Sequence, residues 1–190
     1  AYLIMGFRLH TQGAEILKTH RPSILVGNHQ HNYDILIGGH FFSKYMAVLG
    51  KSQLGFIPLF GQMFVLCGNI LIKRGHKTKA RKTMQKVMSV VVQRKLTVLI
   101  FAEGTRNQKK ELLPFKKGAF ITAIDTQIPI IPFSTSQYYL QGDLKSKMSF
   151  KVFTKIHKPI ATVGMTEKDI PHLMELTKKA IKEGIEEMNA

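Results

Sequence analysis

The sequence predicts a single α/β domain in which a mostly parallel mixed central sheet is flanked by helices. Short apolar runs of strand length alternate along the chain with segments of helical periodicity, the order that arises when helices connect parallel strands. The chain has 190 residues, of which 44% are hydrophobic, so it can bury a sizeable core and is neither a disordered tail nor a fibrous repeat. No internal repeat or low-complexity linker divides it, and residues 1–190 are predicted to form one domain.

Six apolar runs predict the strands of this sheet. They lie at residues 23–27, 45–49, 69–73, 96–102, 128–134 and 149–156. Helices are predicted at 34–42, 78–94 and 117–126, and a last helix runs toward the C-terminus from a cap at Thr166, with Asp169 three residues later. Because ligands gather at the carboxyl ends of parallel strands, the residues that follow each strand are the candidates for a functional site.

The helix predicted at 78–94 is amphipathic and basic. Apolar residues such as Ala80, Met84 and Val91 recur at helical spacing, while Lys79 and further lysines and arginines occupy other positions. An apolar stripe of this kind is typical of a face packed on the core. We therefore expect the charges of this helix, and not its apolar stripe, to contact an anionic surface.

The charge of the chain is high and unevenly distributed. There are 28 Lys and Arg against 12 Asp and Glu, a net charge of +16, and residues 1–95 carry +12 of it because Glu15 and Asp34 are their only acids. Such an excess can serve solubility alone, and otherwise it indicates an anionic membrane surface, nucleic acid or a phosphorylated substrate as the partner. The single cysteine, Cys67, excludes a disulfide scaffold and a Cys-rich zinc module and is consistent with a reducing compartment.

Two apolar stretches bear on membrane attachment. The chain opens at Ala1 inside an apolar stretch, which we interpret as a trimmed or processed start, with a preceding signal or membrane anchor left open. The run at 55–72 is interrupted by Pro58, Gln62 and Asn69, so it is a poor candidate for a membrane-spanning helix. It is predicted instead to be a loop followed by a strand, with an interfacial role left open.

A histidine and a carboxylate follow the first predicted strand. His29 lies five residues before Asp34, at the point where the chain turns into a helix. A carboxylate at that position can cap the helix and accept the imidazole N–H, which fixes the tautomer and orientation of the ring. His29 would then serve as a general base toward a substrate hydroxyl, although a surface histidine beside a helix cap has the same spacing.

Residues suited to an anion follow the later strands. Arg74 follows the strand at 69–73, and Glu103-Gly104-Thr105-Arg106 follows the strand at 96–102. A glycine turn, a hydroxyl and a guanidinium together suit a phosphate monoester, whereas Glu103 would hold the loop or an arginine, or contact a substrate hydroxyl. Pro132 lies near the start of the strand at 128–134. Together these residues indicate transfer of a group to the hydroxyl of a phosphorylated small molecule.

Other function classes fit these motifs less well. A binuclear metal hydrolase of the HxHxDH kind would place its Asp one residue earlier and follow it with a His, and no metal site is predicted. Neither a P-loop nor a Gly-x-Ser-x-Gly serine nucleophile is present. A basic nucleic-acid-binding module remains an alternative, but no base-stacking aromatics are interleaved with the charges of the helix at 78–94. A non-catalytic lipid-binding protein is a further alternative to an enzyme.

The motifs resemble, in order, the four blocks of the glycerolipid acyltransferases. Asn28 and His29 with Asp34 resemble the NHx4D motif, and the segments 68–74, 101–106 and 128–132 are similar to the second, third and fourth blocks. The segment 114–120 also resembles the stretch that follows the third block, so the likeness covers roughly residues 5–160. Within the family, Glu-Gly-Thr-Arg is most similar to the third block of the 1-acylglycerol-3-phosphate acyltransferases.

The resemblance implies acyl transfer from acyl-CoA or acyl carrier protein to the free hydroxyl of lysophosphatidic acid, which makes phosphatidic acid. His29 would be the general base and Asp34 its orienting partner, with direct attack and no acyl-enzyme. The acceptor would be bound by Arg74, Glu103, Gly104, Thr105 and Arg106, while Pro132 would shape the acyl-donor side. The resemblance implies no cofactor beyond the co-substrate.

The same resemblance implies a membrane-associated enzyme of phospholipid biosynthesis, with its active site on the cytoplasmic side of a bacterial inner membrane or an organelle membrane. No nucleic acid is expected as a partner. The chain departs from the family at His31, Leu71 and Lys73, where a Ser, a Phe and an acid are frequent. These departures leave the acceptor open, with glycerol-3-phosphate or another lysophospholipid as alternatives to lysophosphatidic acid.

Overall fold

A computed structural model describes residues 7–72, 77–109, 111–141 and 150–189 of the chain. Seven strands are formed by these residues: β1 (Phe7–Gln12), β2 (Ser23–Gly27), β3 (Met46–Lys51), β4 (Ile70–Ile72), β5 (Thr97–Phe101), β6 (Ile130–Thr135) and β7 (Phe150–Ile156). They lie in one sheet in the order β1-β7-β6-β2-β5-β3-β4. Every neighbouring pair is parallel except β6 and β7, which confirms the predicted mostly parallel mixed sheet.

The strands are connected by helices and by short 3-10 turns. The α-helices are α1 (Ile16–Thr19), α2 (Asp34–Gly38), α3 (Phe60–Leu66), α4 (Lys77–Gln93), α5 (Gly118–Thr126) and α6 (Ile170–Asn189). The 3-10 turns are Ser52–Phe56, Tyr138–Gln141 and Glu167–Asp169. No helix in the described part of the chain combines the length and the apolar character needed to cross a membrane.

An apolar core lies on each face of the sheet. Alternate residues of the central strands point to opposite faces, so each of these strands contributes to both cores. Ile24 and Val26 of β2 lie in a core with α4, α5 and α6, in which Phe120 and Leu173 are completely buried. Leu25 points the other way, into a second core that includes α1 and α3. With both faces buried, β2 carries no polar alternation, which is why its sequence is a continuous apolar run.

Three sequence expectations differ from the structure. The edge strand β1 was not predicted, because every second residue of Phe7–Gln12 is polar and exposed at a sheet edge. The segment predicted as a loop before β4 contains the helix α3, which forms despite Pro58 because that proline precedes its first turn. The helix predicted at 34–42 ends at Gly38, where two consecutive glycines of low helix propensity stand.

The last helix begins as predicted. Thr166 and Asp169 form a capping box, in which the Asp169 carboxylate accepts hydrogen bonds from the Thr166 N–H at 2.7 Å and from its hydroxyl at 2.9 Å. These bonds hold the pKa of Asp169 below its usual range. The 3-10 turn at Glu167–Asp169 then leads directly into α6.

One histidine is held neutral where α6 packs on the sheet. His157 follows β7, and its Nε2 lies 2.7 Å from the hydroxyl of Ser134, which itself donates to a carbonyl of α6. Burial lowers the pKa of His157, the nearby Lys155 lowers it further, and the weaker fields of Glu187 and Glu183 act in the opposite direction. The folded protein therefore favours the uncharged imidazole at this contact.

Candidate active site

The first and third sequence motifs meet at one edge of the sheet. β2 and β5 are adjacent and parallel, with Gly27 paired to Phe101, so the segments that follow both strands emerge side by side. Asn28 ties this edge to a third strand, because its side-chain amide donates to the carbonyl of Thr135 and accepts from the N–H of Thr135, both at 2.9 Å. The main chain around the candidate base is therefore anchored to β5 and β6.

His29 and Asp34 form the predicted pair. His29 Nδ1 lies 2.6 Å from Asp34 Oδ2, a distance typical of a charge-assisted hydrogen bond. The carboxylate accepts only, so Nδ1 carries the hydrogen and Nε2 presents its lone pair. The His29 side chain is 19% exposed and that of Asp34 only 5%. The pair thus has the tautomer and the access that a general base needs.

Asp34 is held by more donors than the sequence predicted. It is the first residue of α2 and not its N-cap, which is Tyr33, so the expected capping role is wrong. The carboxylate turns back instead, and Oδ2 accepts the N–H groups of Gln30 at 2.6 Å and His31 at 3.0 Å. Oδ1 accepts the hydroxyl of the buried Tyr138 at 2.6 Å. Burial, and then the charge of Asp34, raise the pKa of Tyr138, so this hydroxyl keeps its proton and donates.

The imidazole rests on an aromatic ring. The rings of His29 and Phe101 are stacked, with centroids 4.1 Å apart and planes 15° from parallel. Phe133 of β6 lies beside Phe101 at 6.2 Å and passes so close to Gly27 that a Cβ at that glycine would collide with it. The small residue before the motif therefore makes room for the aromatic floor beneath the base.

Glu103 is a buried anchor between the two loops. It is 2% exposed, its Oε1 accepts the backbone N–H of His29 at 3.0 Å, and its Oε2 accepts Asn107 Nδ2 at 3.0 Å and the N–H of Leu113 at 2.9 Å. Asn107 in turn donates its own N–H to the carbonyl of His29 at 2.7 Å. Of the roles open to Glu103 at the sequence level, holding the loop is the one that these contacts describe.

The turn after Glu103 has the backbone that its glycine permits. Gly104 adopts φ +72°, a left-handed conformation that favours glycine, and its N–H donates to the carbonyl of Phe101 at 3.1 Å. The stem of Lys116 passes against Gly104, and the N–H of Lys116 donates to the carbonyl of Ala102 at 2.7 Å. The turn therefore has a lysine beside it that the sequence reasoning did not assign to the site.

Thr105 and Arg106 are exposed at the rim of this edge. Arg106 Nη1 donates to Asn32 Oδ1 at 2.8 Å, so the guanidinium bridges the loops after β2 and β5. A planar donor of this kind still has other N–H groups to offer an anion. The rim is thus cationic and lies on the same two loops that hold the dyad.

Two predicted residues are not brought to this rim in the same way. Arg74 lies outside the described residues. Pro132 is buried within β6, where it pairs with Val26, and its carbonyl accepts the N–H of His157 at 2.9 Å. Within residues 7–72, 77–109, 111–141 and 150–189, no three His, Cys, Asp or Glu side chains are grouped to hold a metal ion.

The comparison with known families decides the class of this site. The family model described as Acyltransferase matches residues 8–136, which contain the dyad, the Glu103 anchor and the cationic rim. The chain belongs to the acyltransferase family. The match covers more than half of its length and includes both loops that build the site.

Solved and curated acyltransferases resemble this one over almost its whole length. The 1-acyl-sn-glycerol-3-phosphate acyltransferase of Haemophilus influenzae is 34% identical over 98% of this chain and 80% of that protein. The enzyme of the same name from Escherichia coli is 30% identical over 98% of this chain and 76% of that protein. The crystal structure of the 1-acyl-sn-glycerophosphate acyltransferase of Thermotoga maritima matches with a TM-score of 0.75 and 28% identity, over 96% of this chain and 72% of that one.

The candidate site of this acyltransferase also contains residues that the sequence motifs do not indicate. Tyr138 follows Asp34 by 104 positions, and no local pattern indicates that a 3-10 turn after β6 returns its hydroxyl to the dyad. Asn107 was detectable in principle, since it lies four residues after Glu103 in the same loop and bonds to it. Gln30 donates through Nε2 to the carbonyls of Thr135 and Ser136, another long-range contact without a sequence signal.

Proposed function

We propose that this acyltransferase moves a fatty acyl group from an acyl thioester to the free hydroxyl of lysophosphatidic acid and so makes phosphatidic acid. The observation that carries the proposal is the ordered dyad: a carboxylate with three further donors holds the His29 ring in one tautomer beside a cationic rim. The names of the similar proteins from Haemophilus influenzae and Escherichia coli support the choice of acceptor.

The reaction follows from the tautomer of His29. The acceptor hydroxyl attacks the thioester carbonyl carbon, and as the C–O bond forms its proton passes to His29 Nε2. Asp34 stabilises the imidazolium that results without taking its proton. The tetrahedral oxyanion then collapses, the C–S bond breaks, and the imidazolium protonates the departing thiolate. The products are the ester and a free thiol, and no acyl-enzyme is formed.

The cationic rim is suited to the phosphate of the acceptor. We assign the phosphate contact to Arg106 with the hydroxyl of Thr105, since both are exposed on the loop that Glu103 anchors beside His29. Gly104 lets this loop turn. Arg74 comes two residues after β4 in the sequence, and we assign it as a further phosphate ligand. Glu103 acts in this proposal by holding the loop, since both of its oxygens already accept protein N–H groups.

The donor and the location belong to the same proposal. Acyl-CoA or acyl carrier protein delivers the thioester, and Pro132 acts on the donor side through the position of β6. The enzyme works at an anionic membrane surface with its active site on the cytoplasmic side. The net charge of +16 supports an anionic surface as its place of work.

The test is thiol release from a long-chain acyl-CoA with and without lysophosphatidic acid. Release should depend on the acceptor, and His29→Ala should lower it about 10²–10⁴-fold, the usual contribution of a general base. His172→Ala removes an exposed imidazole from α6 and should leave the rate unchanged. Glycerol-3-phosphate and acyl carrier protein replace the acceptor and the donor in parallel reactions. Acceptor-dependent release that survives in His29→Ala would refute the mechanism.

A further inference from the structure

An apolar ridge projects from the segment between β3 and β4. Its members are large apolar side chains that are more than half exposed: Phe56 (86%), Leu59 (80%), Met63 (63%), Val65 (52%) and Leu66 (85%). Single exposed apolar side chains are normal on a protein surface, but a cluster of this size within eleven consecutive residues indicates an interaction surface.

The ridge is a built structure and not a loose loop. Phe64 of α3 is only 6% exposed and packs into the core on this face of the sheet, so the helix is fixed with its other residues outward. A Cβ at Gly61 would collide with the backbone of Gly55, so α3 and the preceding 3-10 turn lie in direct backbone contact. Leu59 adopts φ +63°, a strained conformation for a leucine, and its side chain points into solvent.

The ridge lies at the same edge of the sheet as the dyad. It follows β3, which is parallel to β5 and, through β5, to the strand that precedes His29. Two strand spacings of about 4.8 Å separate β3 from β2. Phe64 and Phe101 belong to the same apolar cluster, and Phe101 is the ring on which His29 stacks. One continuous apolar layer therefore connects the ridge with the floor of the active site.

The charge near the ridge indicates which kind of partner the ridge binds. Residues 35–102 contain eleven Lys and Arg and no Asp or Glu. Exposed Lys51 ends β3 where the ridge begins, and exposed Arg106 and Lys116 lie on the loop that follows β5 at the same edge of the sheet. An apolar surface within a region of one sign of charge suits the acyl chains and phosphates of an anionic bilayer, whereas a second copy of this chain would bring like charges together.

We propose that the apolar ridge inserts into the acyl-chain boundary of an anionic bilayer and docks the active-site edge against it. The proposal deepens the proposed function. It rests on that function in one respect, the lipid acceptor, which docking would allow to reach His29 from the bilayer without crossing water. Lys and Arg side chains near the bilayer add electrostatic attraction to its phosphates, and the apolar side chains that enter it add a favourable transfer free energy.

The absence of tryptophan from the chain supplies a direct probe. Leu66→Trp places a single indole on the ridge, and Val163→Trp places one on an equally exposed residue beside the start of β6, at the opposite edge of the sheet. With vesicles of phosphatidylglycerol and phosphatidylcholine, the emission of Leu66→Trp should shift to shorter wavelength and be quenched by brominated acyl chains. The emission of Val163→Trp should not change.

A second pair of variants measures binding and activity together. Phe56→Ser combined with Leu66→Ser should lower vesicle partitioning about tenfold or more, because two exposed side chains lose their transfer energy. Val163→Ser is the matched control and should bind as the original chain does. The double variant should keep its turnover of short-chain acceptor and donor in solution and lose turnover of acceptor embedded in vesicles.

The outcomes separate this proposal from the proposed function. Unchanged vesicle binding in the double variant, or an indole at position 66 that vesicles do not affect, would overturn the docking surface. Emission that is already shifted without vesicles, together with a dimer in analytical ultracentrifugation, would overturn it in favour of a second copy. Ridge-dependent binding without acyl transfer from any thioester would uphold docking and refute the proposed function instead.

Discussion

Replacing Tyr138 with phenylalanine isolates one contact of Asp34, the carboxylate that we propose orients the base. The substitution keeps the buried ring and removes only the hydroxyl that donates to Asp34 Oδ1 at 2.6 Å. The other three donors, His29 Nδ1 and the N–H groups of Gln30 and His31, all lie on Oδ2, so Oδ1 is left without this partner. A hydrogen bond to a buried charged group contributes about 1.5–3 kcal/mol.

Stability and pH dependence should both change as a result. Tyr138→Phe should lower the free energy of unfolding by about 1.5–3 kcal/mol, and a chain of this size loses roughly 2–4 °C in Tm for each kcal/mol. A carboxylate that has lost one donor attracts the imidazole proton more strongly, so the acid limb of kcat/KM against pH should move to higher pH. The assays are urea denaturation and thiol release measured from pH 5 to 9.

Tyr139→Phe is the matched control for this prediction. The Tyr139 hydroxyl is buried, and none of the described residues offers it a hydrogen-bond partner. Removing an unpaired buried hydroxyl relieves its desolvation cost, so Tyr139→Phe should not lower stability and should leave the pH profile unchanged. If Tyr138→Phe behaved like this control, or if it lost stability without any change in the pH profile, Tyr138 would have no positioning role toward the dyad.

Three further predictions concern the rim, the buried anchor and the acid sensitivity of the fold. Arg106→Ala should raise the acceptor KM about tenfold with a smaller effect on kcat, and unchanged acceptor kinetics would remove Arg106 from the phosphate site. Glu103→Gln should lower kcat and should lower the unfolding free energy by about 2 kcal/mol, because the glutamine NH₂ would face an N–H donor of the protein. If the variant and the original chain unfolded at the same urea concentration, this reasoning would be wrong. The pKa of His157 is lowered in the fold, so as pH falls through about 6.5 the unfolded state binds the proton first and stability decreases. His157→Gln should lose less stability between pH 7 and pH 5, as measured by urea denaturation at both values.

Among the strands, those buried on both faces are the ones that the sequence predicts most directly. β2, β5 and β6 are continuous apolar runs in the middle of the sheet; the predicted bounds of β2 match the structure, and those of β5 and β6 differ from it by one or two residues. β1 escapes prediction because an edge strand with one solvated face needs only every second residue to be apolar. α3 escapes because its outward residues are apolar, which hides the polar face that identifies a surface helix.

The candidate site also has residues that the sequence predicts and residues that it does not. His29, Asp34 and the Glu103–Arg106 turn were identified because parallel strands carry their following loops to one edge, a rule that needs no knowledge of side-chain contacts. The capping role of Asp34 was wrong because its carboxylate reaches backward to the loop instead of forward to the helix. The contribution of Tyr138 depends on how a distant turn packs, and this information is absent from the neighbourhood of either residue.

The separation between buried anchors and exposed rim has a consequence for how this scaffold can diversify. The groups that orient the base, Asn28, Asp34 and Glu103, are inside the protein, whereas Asn32, Thr105 and Arg106 are on the outside of the same loops. A change at an exposed position alters what the loop can grip without disturbing the main-chain bonds that hold His29. The buried residues that hold His29 can therefore stay unchanged while substitutions at the exposed rim adapt the site to head groups of different size and charge.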